Sequence, residues 1–205
     1  MICYKPLLLS FSIFVLSATC AFSQDSVTTK PPIVRFQEPT FPGGIRAFTQ
    51  YIANNVKYPE VARIVGITGK VKVTFMVDSD GTITNAKPVN CMGAGCESEA
   101  VRVISMSPNW SPGIQEGKAT NVQFVIAVSF TQNNTPQKTY MKTLTKSDYG
   151  FVFFIKDKTY TVDEAQNILG KSFDPATVEI VENYDNPQYA MPNKKAVYLI
   201  VMKNS

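Results

Sequence analysis

Histidine is absent from this sequence of 205 residues, and cysteine and tryptophan are scarce, with four copies and one copy. Without histidine, the Ser-His-Asp and Cys-His nucleophilic sites of many hydrolases cannot form, and neither can a zinc site that needs imidazole. Lysine and arginine number 20 against 16 acidic residues, so no strong basic field indicates a nucleic acid partner. Ser, Lys or carboxylate catalysis does not need histidine, but no S-x-x-K motif in a supporting context and no acid/base constellation occurs in the sequence, so we expect no enzyme. We also expect no bound metal or cofactor, no small-molecule substrate and no nucleic acid partner.

The first 23 residues have the pattern of an export signal. Lys5 supplies a basic start, residues 7–16 form an apolar run, and residues 21–23 form a small-x-small cleavage site. The run is short for a membrane-spanning helix, which needs about 20 apolar residues. We expect cleavage before Gln24 and a periplasmic mature protein, with an uncleaved membrane tether as the alternative.

Two cysteines remain after cleavage, Cys91 and Cys96, and they are separated by four residues. In an oxidising compartment such a pair can close a small disulfide loop. Two cysteine ligands without histidine make a poor metal site. The sequence predicts a structural disulfide, and two free thiols are the alternative.

Two polar stretches divide the chain. Residues 24–40 carry three prolines and no hydrophobic periodicity, so we interpret them as a flexible tether. Residues 132–145 begin with a second polar break and are interpreted as a linker. These boundaries predict a first domain at 41–131 and a small α+β domain at 146–205.

The first domain has the pattern of a small α+β layer. Ile45, Phe48 and Ile52 recur at helical spacing, and Pro59 and Gly66 bracket a second short helix. The remaining predicted elements are strands at 71–77 and 82–88 joined by a turn that contains Gly81, a helix at 97–106 and a strictly alternating strand at 122–130. The order is therefore α-α-β-β-α-β, with an antiparallel three-stranded sheet and the helices on one face. Trp110 is predicted to anchor the packing between helix and strand.

Short motifs follow one another in a fixed order along the first domain. They are Phe41-Pro42-Gly43-Gly44, Tyr58-Pro59, Gly69-Lys70-Val71, Asp80-Gly81, Pro108-x-Trp110-x-Pro112-Gly113 and Gly117-Lys118. In this order and spacing they resemble the C-terminal domain of TonB energy transducers, in the version that begins with F-P-G-G. The resemblance implies a periplasmic domain that captures the TonB box, a short segment of outer-membrane receptors.

In the family that it resembles, the captured segment adds a strand beside the last strand of the domain, and the segment before Tyr-Pro also touches the receptor. Physical reasoning agrees, because a long alternating strand at the end of a small sheet leaves an open edge for an added strand. The alternatives are that this edge pairs with a second copy, giving a self-associating envelope protein or homodimer, or that the second domain covers it. The predicted partner-binding residues are Asn54, Asn55, Lys57, Tyr58, Val122, Gln123, Phe124, Val125, Ile126, Ala127 and Val128.

The sequence departs from a complete transducer of this family. The family has an uncleaved anchor with a coupling histidine and a long proline-rich spacer, whereas this chain has no histidine and a tether that spans only about 60 Å when fully extended. We therefore expect a TonB-like adaptor rather than a complete energy transducer.

The second domain combines a buried strand at 151–155, a turn at 156–158 and strands at 178–181 and 196–201. Thr161 and Glu164 form a capping-box pattern that starts a helix. This β-α-β-β order resembles the small plug-like module of TonB-dependent receptors. The resemblance implies a role in docking or assembly.

Overall fold

A computed structural model describes residues 35–131 and 138–203. The predicted signal at 1–23, most of the predicted tether and residues 132–137 of the predicted linker lie outside the described residues.

A three-stranded antiparallel sheet organises the N-terminal half. Strand β2 (Gly69–Val77) lies between β3 (Ile83–Pro88) and β6 (Val122–Phe130). β2 and β6 pair along nine residues each, from Gly69 opposite Phe130 to Val77 opposite Val122. Alternate residues of β2 are buried, so one face of the sheet carries the core.

Three helices cover the apolar face of this sheet: α1 (Gly44–Asn55), α2 (Glu60–Val65) and α3 (Cys96–Ser105). α2 ends at Gly66, which adopts a left-handed conformation with a φ of 82° and closes the helix with a bond from its N–H to Ala62. The predicted α+β class and the order α-α-β-β-α-β are confirmed.

A second small sheet was not expected from the sequence. It joins β1 (Phe36–Gln37), β4 (Gly113–Gln115) and β5 (Lys118–Thr120), all antiparallel. β1 belongs to the stretch predicted as a flexible tether, and that prediction is wrong for residues 36–37, because their backbone groups pair with β4. The ordered domain therefore begins before the Phe41 motif.

The predicted linker also contains regular structure after residue 137. β7 (Thr139–Tyr140) pairs with β10 (Ser172–Phe173), and α4 (Met141–Lys146) follows directly. Met141 and Leu144 are buried, so α4 is held by packing although most of its residues are polar. The prediction of a linker up to residue 145 is therefore wrong for this part.

A mixed four-stranded sheet forms the C-terminal module (residues 146–203). Its strands are β8 (Gly150–Ile155), β9 (Lys158–Thr161), β11 (Val178–Asn183) and β12 (Val197–Met202). Their order in the sheet is β11-β12-β8-β9, with β12 parallel to β8 and the other neighbours antiparallel. Helix α5 (Val162–Leu169) starts at the predicted capping box, in which Thr161 and Glu164 bond to each other's backbone N–H. β9 begins at Lys158, which was expected to be the last residue of the turn at 156–158.

The three-stranded sheet of β2, β3 and β6 and the four-stranded sheet of the C-terminal module share one hydrophobic core. Gly93, in the loop before α3, forms a parallel bridge with Val181 of β11. The hydroxyl of buried Thr139 donates to the carbonyl of Val65 at 2.8 Å, and the hydroxyl of Tyr149 donates to Glu60 at 3.0 Å. These contacts fix the C-terminal module against α2 and the loop before α3.

Candidate functional site

Strand β6 lies at the edge of its sheet. Within 35–131 and 138–203, its only strand partner is β2, so the backbone groups on its other side face outward. Gln123, Val125 and Ala127 are exposed, and the side chain of Val125 is 58% exposed although it is apolar. An unpaired edge of this length is a template for an additional strand.

The other predicted residues of β6 point towards the core. Phe124 and Ile126 are half-buried and Val128 is fully buried. Phe124 stacks on Phe75 with ring centroids 5.9 Å apart. The inward residues fix the strand, so its open edge is presented on a rigid support.

An apolar groove of about 540 Å³ runs between α1 and β6. On the strand side it is lined by Ile126, Ala127 and Ser129. On the helix side, residues at helical spacing face it: Ile45, Phe48, Thr49, Ile52, Ala53 and Val56. The groove therefore lies beside the open edge, where side chains of an added strand could enter it.

Ile45 is the exposed end of a helical stripe. Ile45, Phe48 and Ile52 were predicted to lie on one face of α1, and within this stripe Phe48 is 2% exposed whereas Ile45 is 71% exposed. The stripe continues past the part of the helix that the sheet covers, so Ile45 in the first turn lines the groove instead of the core.

The segment 54–58 is held by hydrogen bonds at the end of α1. The side-chain amide of Asn55 donates to the backbone carbonyl of Tyr51, and the backbone carbonyl of Asn55 accepts a 2.8 Å bond from Arg102. The backbone N–H of Lys57 donates to a carboxylate oxygen of Glu99 at 2.5 Å. The hydroxyl of Tyr58 donates to the carbonyl of Ile67.

Glu99 and Arg102 organise this segment. The guanidinium makes two 2.7 Å bonds to the carboxylate, one to each oxygen. The bond from Arg102 is the main cause that holds the pKa of Glu99 below its ordinary value, and the bond from Lys57 contributes. The carboxylate therefore remains charged and fixes the exit of α1.

The structure brings only part of the two predicted stretches together. Val56 lines the groove beside β6, and the ring of Tyr58 meets Phe130 of β6 edge-on at 5.9 Å. Lys57 and Tyr58 line a separate cleft with Arg102. Asn54 and Asn55 are exposed and line neither cavity.

Sequence reasoning missed the helix side of the groove. Ile45, Ile52 and Val56 recur at intervals of seven and four residues, which is the signal of an apolar stripe on one helix face. That signal does not state whether the stripe faces the core or an open groove. The position of α1 beside β6 decides it.

Trp110 is the centre of an aromatic cluster. It is 6% exposed, and its ring lies 5.1 to 5.8 Å from the rings of Phe41, Phe48, Phe75 and Phe124. Its indole N–H donates to the hydroxyl of Ser107 at 3.1 Å, which satisfies the buried polar group. These contacts connect α1 to β2 and β6 and so support both walls of the groove.

The other two predicted structural residues shape turns. Gly81 has a φ of 85°, and a Cβ atom there would lie 2.0 Å from the carbonyl oxygen of Trp110, so only glycine fits. Its own carbonyl accepts the backbone N–H of Trp110 at 2.8 Å. Pro59 is the N-cap residue of α2.

Cys91 and Cys96 are free thiols in the structure, and the predicted disulfide is not formed. Cys96 begins α3 and points into the core, whereas Cys91 is exposed. Burial raises the pKa of Cys96 to about 12. The thiol that was expected to pair is thus part of the hydrophobic core.

Residues 35–131 and 138–203 contain no group of three or more Cys, Asp or Glu side chains placed to hold a metal ion. No helix among the described residues has the length and hydropathy needed to cross a membrane.

Together, the fold and the site define a small α+β domain with a three-stranded antiparallel sheet, an open last strand and a helix-lined groove. The sequence model for the Gram-negative bacterial TonB protein C-terminal matches residues 54–131. The resemblance of the first domain to the TonB C-terminal family is therefore confirmed for this stretch. The match relates it to the energy-transducing TonB proteins of the bacterial envelope.

Two solved structures resemble the chain, both of the Helicobacter pylori TonB C-terminal domain. The first is 23% identical, spans 42% of this chain and 90% of its own, and has a TM-score of 0.34. The second, a longer form, is 24% identical, spans 42% of this chain and 78% of its own, and has a TM-score of 0.30. No curated protein matches the sequence.

Proposed function

We propose that this protein is a periplasmic, non-enzymatic TonB-like adaptor that captures an extended segment, the TonB box, of an outer-membrane transport receptor. The observation that carries the proposal is the open edge of β6 beside the apolar groove. The receptor segment adds to this edge as a further strand, in support of energised transport across the outer membrane.

The length of β6 suits an added strand. Nine residues present about 30 Å of edge, at roughly 3.4 Å for each residue of an antiparallel strand. Backbone hydrogen bonds along the edge provide affinity that depends little on sequence, and pockets for alternate side chains provide specificity. The groove supplies such a pocket, and its walls favour apolar side chains of the captured segment.

The segment 54–58 contributes a second contact in this proposal. Lys57 and Tyr58 line the cleft on the other side of the helix end, and Arg102 and Glu99 keep them in place. A receptor segment that extends past the end of β6 reaches this cleft. The family match at 54–131 includes both stretches.

The test is an NMR titration of the purified full chain with TonB-box peptides from receptors of the same organism. We expect saturable shifts of backbone amides in 54–58, β6 and the groove-lining turn of α1. If no peptide shifts these signals and relaxation reveals a dimer, the edge serves self-association and the adaptor proposal fails.

Two variants locate the binding surface. Ala53→Arg places a long charged side chain in the groove without changing the core, and it should weaken peptide binding at least about tenfold, since binding must then bury or displace a charge. Gln50→Arg adds the same charge to an exposed position of α1 outside the groove and should bind normally.

Val125→Pro tests the backbone contribution. The backbone groups of Lys72 bond to Asn90 and Val89 on the β3 side, so Val125 and Ala127, which lie opposite Thr74 and Lys72, turn their N–H groups to the open edge. Proline at Val125 removes one of these donors and leaves the pairing with β2 in place. It should abolish binding. Retained binding by a folded Val125→Pro variant contradicts strand addition, whereas equal losses in Ala53→Arg and Gln50→Arg contradict the groove as the site.

A further inference from the structure

A third cavity, which we call the junction cleft, lies where α2 meets α4 and the start of the C-terminal module. It has a volume of about 650 Å³ and is lined by Arg63, Lys142, Lys146, Tyr140, Glu60 and Asp148 among others. This size falls in the range of cavities that hold small organic molecules. The cleft is separate from the groove beside β6, and the proposed capture of a receptor segment does not use it.

Three cations of the junction cleft have no partner among the described residues. The side chains of Arg63, Lys142 and Lys146 make no hydrogen bond and no ion pair there. All three are exposed. They come from two separate parts of the chain, α2 and α4, and therefore meet only in the folded protein.

Helix stability does not account for the lysines. Lys142 and Lys146 are four residues apart on α4, where like charges repel each other. Lys146 lies in the last turn, where the helix dipole favours a cation, but Lys142 lies in the first turn, where it does not. A ligand of opposite charge would offset this repulsion.

The two acids of the cleft are engaged elsewhere. Glu60 accepts the hydroxyl of Tyr149, and Asp148 forms an ion pair with Lys195 at 2.9 Å. The hydrogen bond from Lys195 lowers the pKa of Asp148, so this carboxylate is charged. Lys195 compensates Asp148, so Arg63, Lys142 and Lys146 stand against Glu60 alone, an excess of two positive charges among the lining groups. The ammonium of Lys194, which donates to the carbonyls of Thr145 and Ser147, adds positive charge beside the cleft.

We propose that the junction cleft binds a phosphate monoester carried on an organic body. A phosphate monoester has a charge between about −1.5 and −2 at neutral pH, which matches the excess charge better than a single carboxylate does. Arg63 can donate two parallel bonds to phosphate oxygens, and the lysines act as point charges. Tyr140, which is 59% exposed, and half-buried Ile64 offer apolar surface to the organic body.

The first test is an NMR titration of the full chain with glucose 6-phosphate, inorganic phosphate and acetate at matched ionic strength. We expect saturable shifts in residues 60–64 and 140–148 with glucose 6-phosphate, weaker ones with inorganic phosphate, and none with acetate. Equal shifts with acetate would show that the cleft attracts any anion, and this result would overturn the proposal.

A lipid headgroup could also supply the phosphate, so a second arm uses vesicles of phosphatidylcholine with phosphatidic acid. Sedimentation with these vesicles, but not with phosphatidylcholine alone, identifies a lipid source of the same chemistry. If neither the soluble phosphates nor the vesicles bind, the proposal is wrong.

The matched variants are Lys142→Gln/Lys146→Gln and, as control, Lys70→Gln/Lys72→Gln. The control removes the same charge from two exposed positions on β2, away from the cleft. Loss of two charged donors should weaken phosphate binding at least about tenfold, and the control should bind normally. Equal weakening of both variants would show that net charge, and not the cleft, is responsible.

Discussion

The backbone N–H of Ala94 donates a 2.6 Å hydrogen bond to the carbonyl oxygen of Val181. This bond attaches the loop before α3 to β11, the outer strand of the C-terminal sheet, and so joins the TonB-like domain to the second module through main-chain atoms. The approach is close because the neighbouring residue is Gly93, where a Cβ atom would lie 1.9 Å from the same oxygen.

Gly93→Ala should therefore destabilise the protein more than an ordinary glycine substitution. Gly117→Ala is the control, because Gly117 has a similar φ of 80° but open space around it. Both variants pay about 1–2 kcal/mol for a left-handed alanine, and Gly93→Ala should lose a further ~1–3 kcal/mol through overpacking. Urea unfolding measures the free energies, and equal losses would mean that the contact with Val181 contributes nothing.

Trp110→Ala should lower the free energy of unfolding by about 3–5 kcal/mol, as expected for truncation of a large buried aromatic residue. Trp110→Phe keeps a ring in the cluster and should cost less. Urea unfolding followed by circular dichroism is suitable, because it does not depend on the single tryptophan. A stability near that of the unmodified protein, together with lost peptide binding, would make Trp110 a contact residue instead.

The ion pair of Glu99 predicts a dependence of stability on pH. Its pKa is lowered in the folded state, so its contribution is complete above the ordinary pKa of 4.5 and is lost as the pH falls through the lowered folded value. Glu99→Gln should cost about 1 kcal/mol at pH 7. The difference between the two proteins in urea unfolding should be constant above the ordinary pKa of 4.5 and should shrink as the pH falls below it; a difference that stays constant in acid would contradict a role for the charge.

The two described cysteines should differ in reactivity. Alkylation by iodoacetamide at pH 8, followed by peptide mass spectrometry, should label Cys91 in the native protein and leave Cys96 unlabelled, because Cys96 is buried and its pKa is raised to about 12. Both should react in denaturant. Protection of both thiols that disappears after reduction would instead support the disulfide that the sequence predicted.

Strong local patterns made much of the first domain predictable. The alternation at 71–77 and 122–130 sets both strands and their inward faces, and Gly66 marks the end of α2. Short elements were not predicted. β4 and β5 have three residues each, which is too few for an alternating pattern to appear. The turn between them is formed by Glu116 and Gly117, which both have a positive φ. α4 was not predicted, because Met141 and Leu144 are its only apolar residues and two residues do not reveal a helical period.

The site was predictable only in part, for a physical reason. The sequence indicates that 122–130 is a long strand, and the resemblance to TonB predicts a binding surface at its edge. Whether Ile45 faces the core or a groove depends on where α1 begins relative to the sheet, which no local pattern encodes. The junction cleft is similar, since Arg63 and Lys142 are far apart in sequence and meet only through packing.

The position of β12 has a consequence for how the protein is made. β12 follows every other strand of its sheet in the chain, yet it takes an inner place between β11 and β8. During synthesis, β8 and β11 leave the ribosome before β12, so each has an unpaired edge until β12 is made and pairs with both. The TonB-like domain has all its strands earlier in the chain, so the C-terminal sheet is the last part of the shared core to be completed.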